Sequence, residues 1–312
     1  MRIVWLNDRH VPRDGIAACG LCLGHFDGVH IGHRALIAEL QRQNRERATP
    51  LPLGVQLFSE PPTKYLDDPP TGQLTVLDEK LRLLGEAGLD FAAIYDFPAI
   101  RNMSPEDFVR QVLLEDCNAQ MAVCGFNYSF GAKGVGRPAD LSRLFADGKT
   151  RRLSVMDPIR LAGDTVSSSL IRTCLLEGKP EKAAMLLGRP HALRGTVSEG
   201  KHLGRTLGLP TANLAFASGA LVPRHGVYAV RVHLDGKCYG GIANVGVRPT
   251  VEGDAAANSE TFLFDFDGDL YGKTIKVELL RFLREEQKFP DLCALTDRIR
   301  KDIDLAKQLL QK

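Results

Sequence analysis

The sequence predicts an α/β domain built on a parallel sheet, followed by a small antiparallel β-barrel or sandwich that a C-terminal helix closes. Three observations predict this. Up to about residue 187, short apolar runs alternate with helical patterns. After Gly188-Arg189-Pro190, β-rich runs follow one another with only Gly, Asp and Asn turns between them. Residues 291–310 then carry a single helical pattern. A length of 312 residues allows about two domains of roughly 150 residues each.

In the first half, residues 17–23 form an apolar run suited to a buried strand, and Leu36, Ile37 and Leu40 repeat at helical spacing within a helix over 32–45. Further strands are predicted at 53–58, 91–95, 120–124 and 153–156, with helices at 78–86 and 105–114. The helix at 105 has a start signal: Ser104 as N-cap, Pro105 at the first helical position and Asp107 three residues after the cap. Such alternation buries a parallel sheet between two helical layers and places ligands at the carboxyl ends of its strands.

In the second half, strands are expected at 227–233, 240–245, 261–266 and 274–280. The closing helix should turn Leu292, Leu295, Ile299, Ile303, Ala306 and Leu310 to one side. The composition, 44% hydrophobic and 25% charged, is that of an ordinary globular chain. A net charge of +2 supplies no basic field for nucleic acid, so no nucleic-acid partner is expected. No stretch approaches the roughly 18 apolar residues of a membrane span, and Asp8 and Arg9 interrupt the apolar start, so no membrane partner and a cytoplasmic location are expected. Seven scattered cysteines argue against a disulfide framework. Cys19 and Cys22, three apart in a strand, point to opposite faces and read as small core residues.

The chemistry concentrates at Gly24-His25-Phe26-Asp27-Gly28-Val29-His30-Ile31-Gly32-His33, where the first strand hands over to the first helix. Helix N-terminal amides and the positive end of the helix dipole favour an anion there, two imidazoles add donors, and Gly28 and Gly32 admit a phosphate close to the backbone. Two sequences resembling phosphate loops, Gly148-Lys149-Thr150 and Gly272-Lys273-Thr274, lack the earlier glycine of that pattern, because Arg143 and Asp267 stand in its place.

The ten-residue string resembles the first motif of HIGH-type nucleotidyltransferases, in the form carried by bacterial bifunctional riboflavin kinase/FMN adenylyltransferases (FAD synthetases). Two other stretches extend the resemblance: Gly125-Phe126-Asn127-Tyr128-Ser129-Phe130-Gly131, and Val166-Ser167-Ser168-Ser169-Leu170-Ile171-Arg172. It implies a Rossmann-like adenylyltransferase domain at 1–187. There His30 and His33 are catalytic, Gly24, Phe26, Asp27, Gly28, Gly32, Ser168, Ser169 and Arg172 serve ATP and its phosphates, and Asn127, Phe130 and Gly131 contact the nucleotide and flavin. Arginine suits bidentate phosphate contacts. One stretch departs from the family: its usual F-D-P-H-P reads Phe58-Ser59-Glu60-Pro61-Pro62, without the histidine. The alternative this motivates is a riboflavin kinase with an inactive or weak adenylyltransferase half.

The second half resembles the riboflavin kinase signature through Gly195-Thr196-Val197, Gly200, Gly204-Arg205, Gly208 and Pro210-Thr211-Ala212-Asn213, then Gly241 to Gly246, Arg248-Pro249-Thr250 and Ser259-Glu260-Thr261. It implies a β-barrel kinase domain at 188–312. Gly195, Gly200, Gly204 and Arg205 would lie at ATP, Thr211 and Asn213 would hold Mg²⁺, Glu260 would be the general base, and Arg284 would lie near the flavin. Oxygen ligands suit that hard cation. The substrates implied are riboflavin, FMN and ATP; the oligomeric state is left open.

Overall fold

A computed structural model describes residues 1–6, 16–65, 72–198, 211–249 and 255–311. The chain divides into two compact units, Met1–Ser168 and Ser169–Lys312. In the first, strands β1 (Arg2–Trp5), β2 (Cys19–Leu23), β3 (Leu53–Phe58), β4 (Phe91–Tyr95), β5 (Ala119–Gly125) and β6 (Arg152–Met156) form one sheet in the order β1-β4-β3-β2-β5-β6. Every neighbouring pair is parallel. β2 leads to β3 and β4 on one side, while β5 and β6 lie on the other, so the order reverses between β2 and β5. Ligands of open α/β sheets bind at the carboxyl ends of the strands at such a point.

Both sheet faces are covered. Helices α1 (Ile31–Arg45) and α2 (Leu77–Glu86) pack Leu36, Ile37, Leu40, Leu81 and Leu84 on one face, which also receives Cys22. The opposite face receives Cys19, Leu21 and Leu23 with Phe108, Val109, Val112 and Leu113. The alternation read at Cys19 and Cys22 therefore holds, and burial pushes the Cys19 thiol up to about 12, so both sulfurs act as core atoms. After a short turn of helix at Phe97–Ile100 (α3), the start read at Ser104 is present: its hydroxyl accepts the Asp107 N–H at 3.0 Å. The helix expected over 105–114 differs, however. Pro105–Asp107 (α4) makes one α-turn, and Phe108–Asp116 continues as a wider π-helix whose end is marked by Cys117 N–H bonding to Val112 C=O. The wider turn brings two apolar doublets, Phe108-Val109 and Val112-Leu113, to the sheet. Helix α5 (Pro138–Phe145) and the hairpin β7 (Arg160–Leu161) and β8 (Asp164–Thr165) complete this unit.

The second unit begins with α6 (Ser168–Leu176, entering it at Ser169) and α7 (Pro180–Leu187). Its strands are β9 (His191–Thr196), β10 (Thr211–Ala215), β11 (Gly226–Leu234), β12 (Lys237–Pro249), β13 (Ala255–Leu263) and β14 (Thr274–Arg284), ordered β10-β13-β12-β11-β14-β9 with every pair antiparallel. The two sheet edges meet where Ser198 N–H bonds to Asn213 C=O at 3.0 Å, which closes the barrel. Tyr228, Val230, Val232, Ala243, Val245 and Leu279 fill its interior. Helix α8 (Leu292–Leu310) starts one residue after the expected position, because Asp291 is its N-cap. It lays Ile299, Ile303, Ala306 and Leu310 on Val227, Ala229, Ile242 and Phe264. Leu292, assigned to that buried side from the sequence, is 64% exposed: it lies in the first turn, short of the sheet.

Candidate active sites

The first site grows from the β2–α1 junction. His30 is the N-cap of α1, and its Nδ1 accepts the N–H of His33 at 3.2 Å. A neutral imidazole accepting at Nδ1 carries its proton on Nε2, which makes that atom the donor. The His30 and His33 rings stack at 3.6 Å, and Phe26, fully buried, lies 4.8 Å from His33. Gly32 permits this fold-back: a Cβ there would stand 3.1 Å from the His30 ring. Of the first-turn amides expected to face an anion, that of His33 is therefore occupied by His30, leaving Ile31 and Gly32, which no helical carbonyl reaches.

The junction is strained. Phe26 and Val29, both buried, hold φ values of 51° and 41°, in the region that favours glycine. Clamps oppose that strain. The Asp27 carboxylate accepts the N–H groups of Leu74 and Thr75 at 3.2 and 3.1 Å, and Gly28 N–H donates to Thr75 Oγ1 at 3.0 Å. Ser168, at the start of α6, donates its hydroxyl to Asp27 C=O at 2.8 Å. Gly24, with φ of 157°, precedes Phe26 in the same loop. Asp27 thus shapes the loop through backbone groups, and Thr75 is a supporting residue that the sequence reading missed. Ser169 and Arg172 lie one turn apart on α6.

The pairing of Leu23 with Cys124 sets the 125–131 loop beside the histidine loop at the point where the strand order reverses. Phe126 and Asn127 are exposed there. Phe130 is instead a core residue, packed 5.3 Å from Phe108 and 5.8 Å from Tyr128. Gly131, at φ 73°, lets the backbone pass Pro105, whose nitrogen a Cβ would meet at 3.0 Å. At the end of β3, Phe58 lies 6.0 Å from the His25 ring. In the stretch without the family histidine, Ser59 donates to Asp96 Oδ1, and Glu60 is hydrogen-bonded by Lys64 and Tyr65, which pull its carboxyl below the usual range.

The second site is a row of side chains across the barrel strands. Asn213 on β10 is directly opposite Glu260 on β13, Glu260 is opposite Asn244 on β12, Asn244 is opposite Val227 on β11, and Val227 is opposite Arg284 on β14. Alternation puts the Asn213, Glu260 and Asn244 side chains on the outer face, because Ala212, Leu214, Ala243 and Val245 fill the interior. Ser259 and Thr261 also point inward, where their hydroxyls hydrogen-bond at 3.1 Å. The outer face is apolar under α8 and turns polar along this row.

Asn213 is 5% exposed, and its buried Oδ1 has no hydrogen-bond partner among the described residues. Thr211, two residues earlier, lies on the same face. Asn244 Nδ2 donates to Glu286 Oε1 at 3.0 Å; the sequence reading assigned neither residue. Arg284 has a different partner: Nε and Nη2 both reach Asp302 Oδ2 of α8 at 2.8 Å, and Asp302 is 1% exposed. Its guanidinium latches the closing helix to the row. Gly195 on β9 lets that strand approach β10, since a Cβ would meet Leu214 at 3.0 Å. Gly200, Gly204 and Arg205 lie outside the described residues. Among the described residues, no group of three His, Cys, Asp or Glu side chains could hold a metal.

Comparison with known proteins finds one family match in each half of the chain. The FAD synthetase family model matches residues 15–170 and the riboflavin kinase model residues 187–310. The chain is 34% identical to the bifunctional riboflavin kinase/FMN adenylyltransferase of Bacillus subtilis, covering 95% of this chain and 94% of that protein. It is 36% identical to the enzymes of the same name from Pseudomonas fluorescens, at 96% coverage of each, and Escherichia coli K12, at 95% and 93%. A crystal structure from Streptococcus pneumoniae, described as a macrolide-efflux protein, shares the fold over 98% of this chain and 99% of its own, with a TM-score of 0.86 and 28% identity. Among the described residues, no helix here is long and apolar enough to cross a membrane. With both family models matched and relatives similar over nearly their whole length, the chain belongs to the bifunctional riboflavin kinase/FMN adenylyltransferase family.

Proposed function

We propose that the chain makes FAD in two ATP-dependent steps, phosphorylating riboflavin to FMN and then adenylylating FMN with release of pyrophosphate. Residues 188–312 are assigned to the first step and residues 1–187, with the Ser168, Ser169 and Arg172 motif, to the second. The observation that carries the reading is the row Asn213, Glu260, Asn244, which sets a carboxylate between two carboxamides on one face of the barrel.

In the kinase step Glu260 takes the proton of riboflavin's 5′-hydroxyl as that oxygen attacks the γ-phosphorus of ATP and ADP leaves. Asn213 Oδ1, without a hydrogen-bond partner among the described residues, and the Thr211 hydroxyl fit the hard-oxygen preference of Mg²⁺ and would hold it with ATP. The ion would supply charge neutralisation at the phosphates. In the adenylyl step a phosphate oxygen of FMN attacks the α-phosphorus and pyrophosphate departs. The nucleophile is already an anion, so the protein aligns and neutralises. His30 Nε2–H, His33 and the amides at the start of α1 serve that role, with Ser168, Ser169 and Arg172 assigned to the outgoing phosphates.

The test is a coupled assay: purified protein, riboflavin and Mg²⁺-ATP, with FMN and FAD separated by chromatography. Both should form. FMN without FAD, also when FMN is supplied, would establish the alternative suggested by the Phe58 to Pro62 stretch, a kinase with a silent adenylyl half.

A further inference from the structure

Beside the Asn213, Glu260, Asn244 row lies a second one that no motif marks. Asn258 on β13 is opposite Ala215 on β10 and Gly246 on β12. It stands two residues before Glu260, hence on the same outer face and about 7 Å along the strand. Its Nδ2 is buried and has no hydrogen-bond partner among the described residues. Desolvating an amide N–H without an acceptor costs free energy, and no contact among the described residues offsets it. The neighbours decide which acceptor suits it. Gly246 has no side chain, and a Cβ there would collide with the Glu286 carboxylate, which occupies that space while accepting from Asn244. Asn258 thus stands between Glu260 along its own strand and the Glu286 carboxylate above Gly246, so a ligand bound there must accept from its amide N–H and can donate to a carboxylate. A hydroxyl fits, because it accepts from an amide N–H and donates to a carboxylate.

We infer that Asn258 positions the polyol chain of the substrate, its carboxamide N–H donating to a hydroxyl oxygen internal to the terminal hydroxyl that Glu260 deprotonates. This rests on the kinase reading above, in which a polyhydroxylated side chain arrives at Glu260. Asn258 and the Glu286 carboxylate then recognise the polyol as donor and acceptor, a requirement that a simple alcohol could not meet.

Asn258→Ala and Asn258→Asp, each in the full chain, test it. Both should raise the KM for riboflavin about tenfold, the size of one lost hydrogen bond. Riboflavin affinity, read by flavin fluorescence, should weaken in step. The kcat for riboflavin phosphorylation and the KM for ATP should stay within about twofold, which reports an intact barrel, and FAD formation from supplied FMN should be unchanged. Unchanged riboflavin KM in both variants overturns the inference. So does a change confined to the KM for ATP, which would mark a phosphate contact, or a parallel loss of both activities, which would mark a structural role. If the unmodified chain fails to phosphorylate riboflavin, the kinase reading itself falls, and this outcome is distinct from the others.

Discussion

At His30 and His33, two imidazoles stacked at 3.6 Å do different work: one caps the helix and fixes its own tautomer, the other lies over Phe26. The spacing of the pair and its place at a helix start are legible in the sequence. The internal hydrogen bond is not, because it depends on Gly32 leaving room for the His30 ring. We expect His33→Ala to abolish FAD formation from supplied FMN, a loss of at least about 100-fold of the kind seen when a transition-state donor is removed, with riboflavin phosphorylation nearly unchanged. Equal loss of both activities, measured on the same preparation, would contradict separate sites. Asp27 carries a related lesson. Its carboxylate, expected at ATP, is bonded to backbone amides 47 and 48 residues later, a long-range contact that no local motif announces.

Among the elements, those whose pattern is local were readable: β3 and β4 fall at the expected residues, and Asp291 opens α8. β1 was missed because its partner, β4, is distant in sequence, and β13 begins at Ala255, ahead of the expected 261. Alanine and asparagine favour strands weakly, yet pairing with β12 imposes the strand. The junction of α8 with the sheet rests on Arg284 and Asp302, whose side chains are 11% and 2% exposed. Asp302→Ala leaves that guanidinium and Arg298 without their carboxylate, and it should lower stability by about 3–5 kcal/mol in denaturant titration. A fall below about 1 kcal/mol would show the latch to be dispensable. On the barrel, Glu278 sits among Lys276 at 2.7 Å, His233 at 3.2 Å and Arg231 at 3.6 Å. Burial pushes its carboxyl up, but the hydrogen bond from Lys276 and the neighbouring His233 imidazole outweigh that and hold it below the ordinary 4.5. A depressed carboxyl stabilises fully above its unfolded value, and the contribution is lost as pH falls through the folded one. Unfolding midpoints measured from pH 6 downward should therefore drop less steeply in Glu278→Gln than in the unmodified chain. Parallel curves would refute it.

On the scale of the whole molecule, two separate sites predict complementation. His33→Ala should retain the kinase and Glu260→Gln the adenylyltransferase, so neither alone should convert riboflavin to FAD, while a mixture of the two should do so through FMN released to solution. A mixture that stops at FMN would show that the product of the first site does not reach the second through solvent.

The sequence by itself determined the change from α/β to β architecture, the strand-to-helix site of the histidines and the kinship of both halves, because periodicity, capping and motif spacing are properties of contiguous residues. Only the tertiary structure decided that the order of strands reverses beside those histidines, that Arg284 is held by Asp302, and that Asn213, Glu260 and Asn244 form one row with Asn258 beside it. Each of those depends on strand register or helix docking between residues far apart in the chain, which are chosen by burial of the whole sheet and not by any local preference.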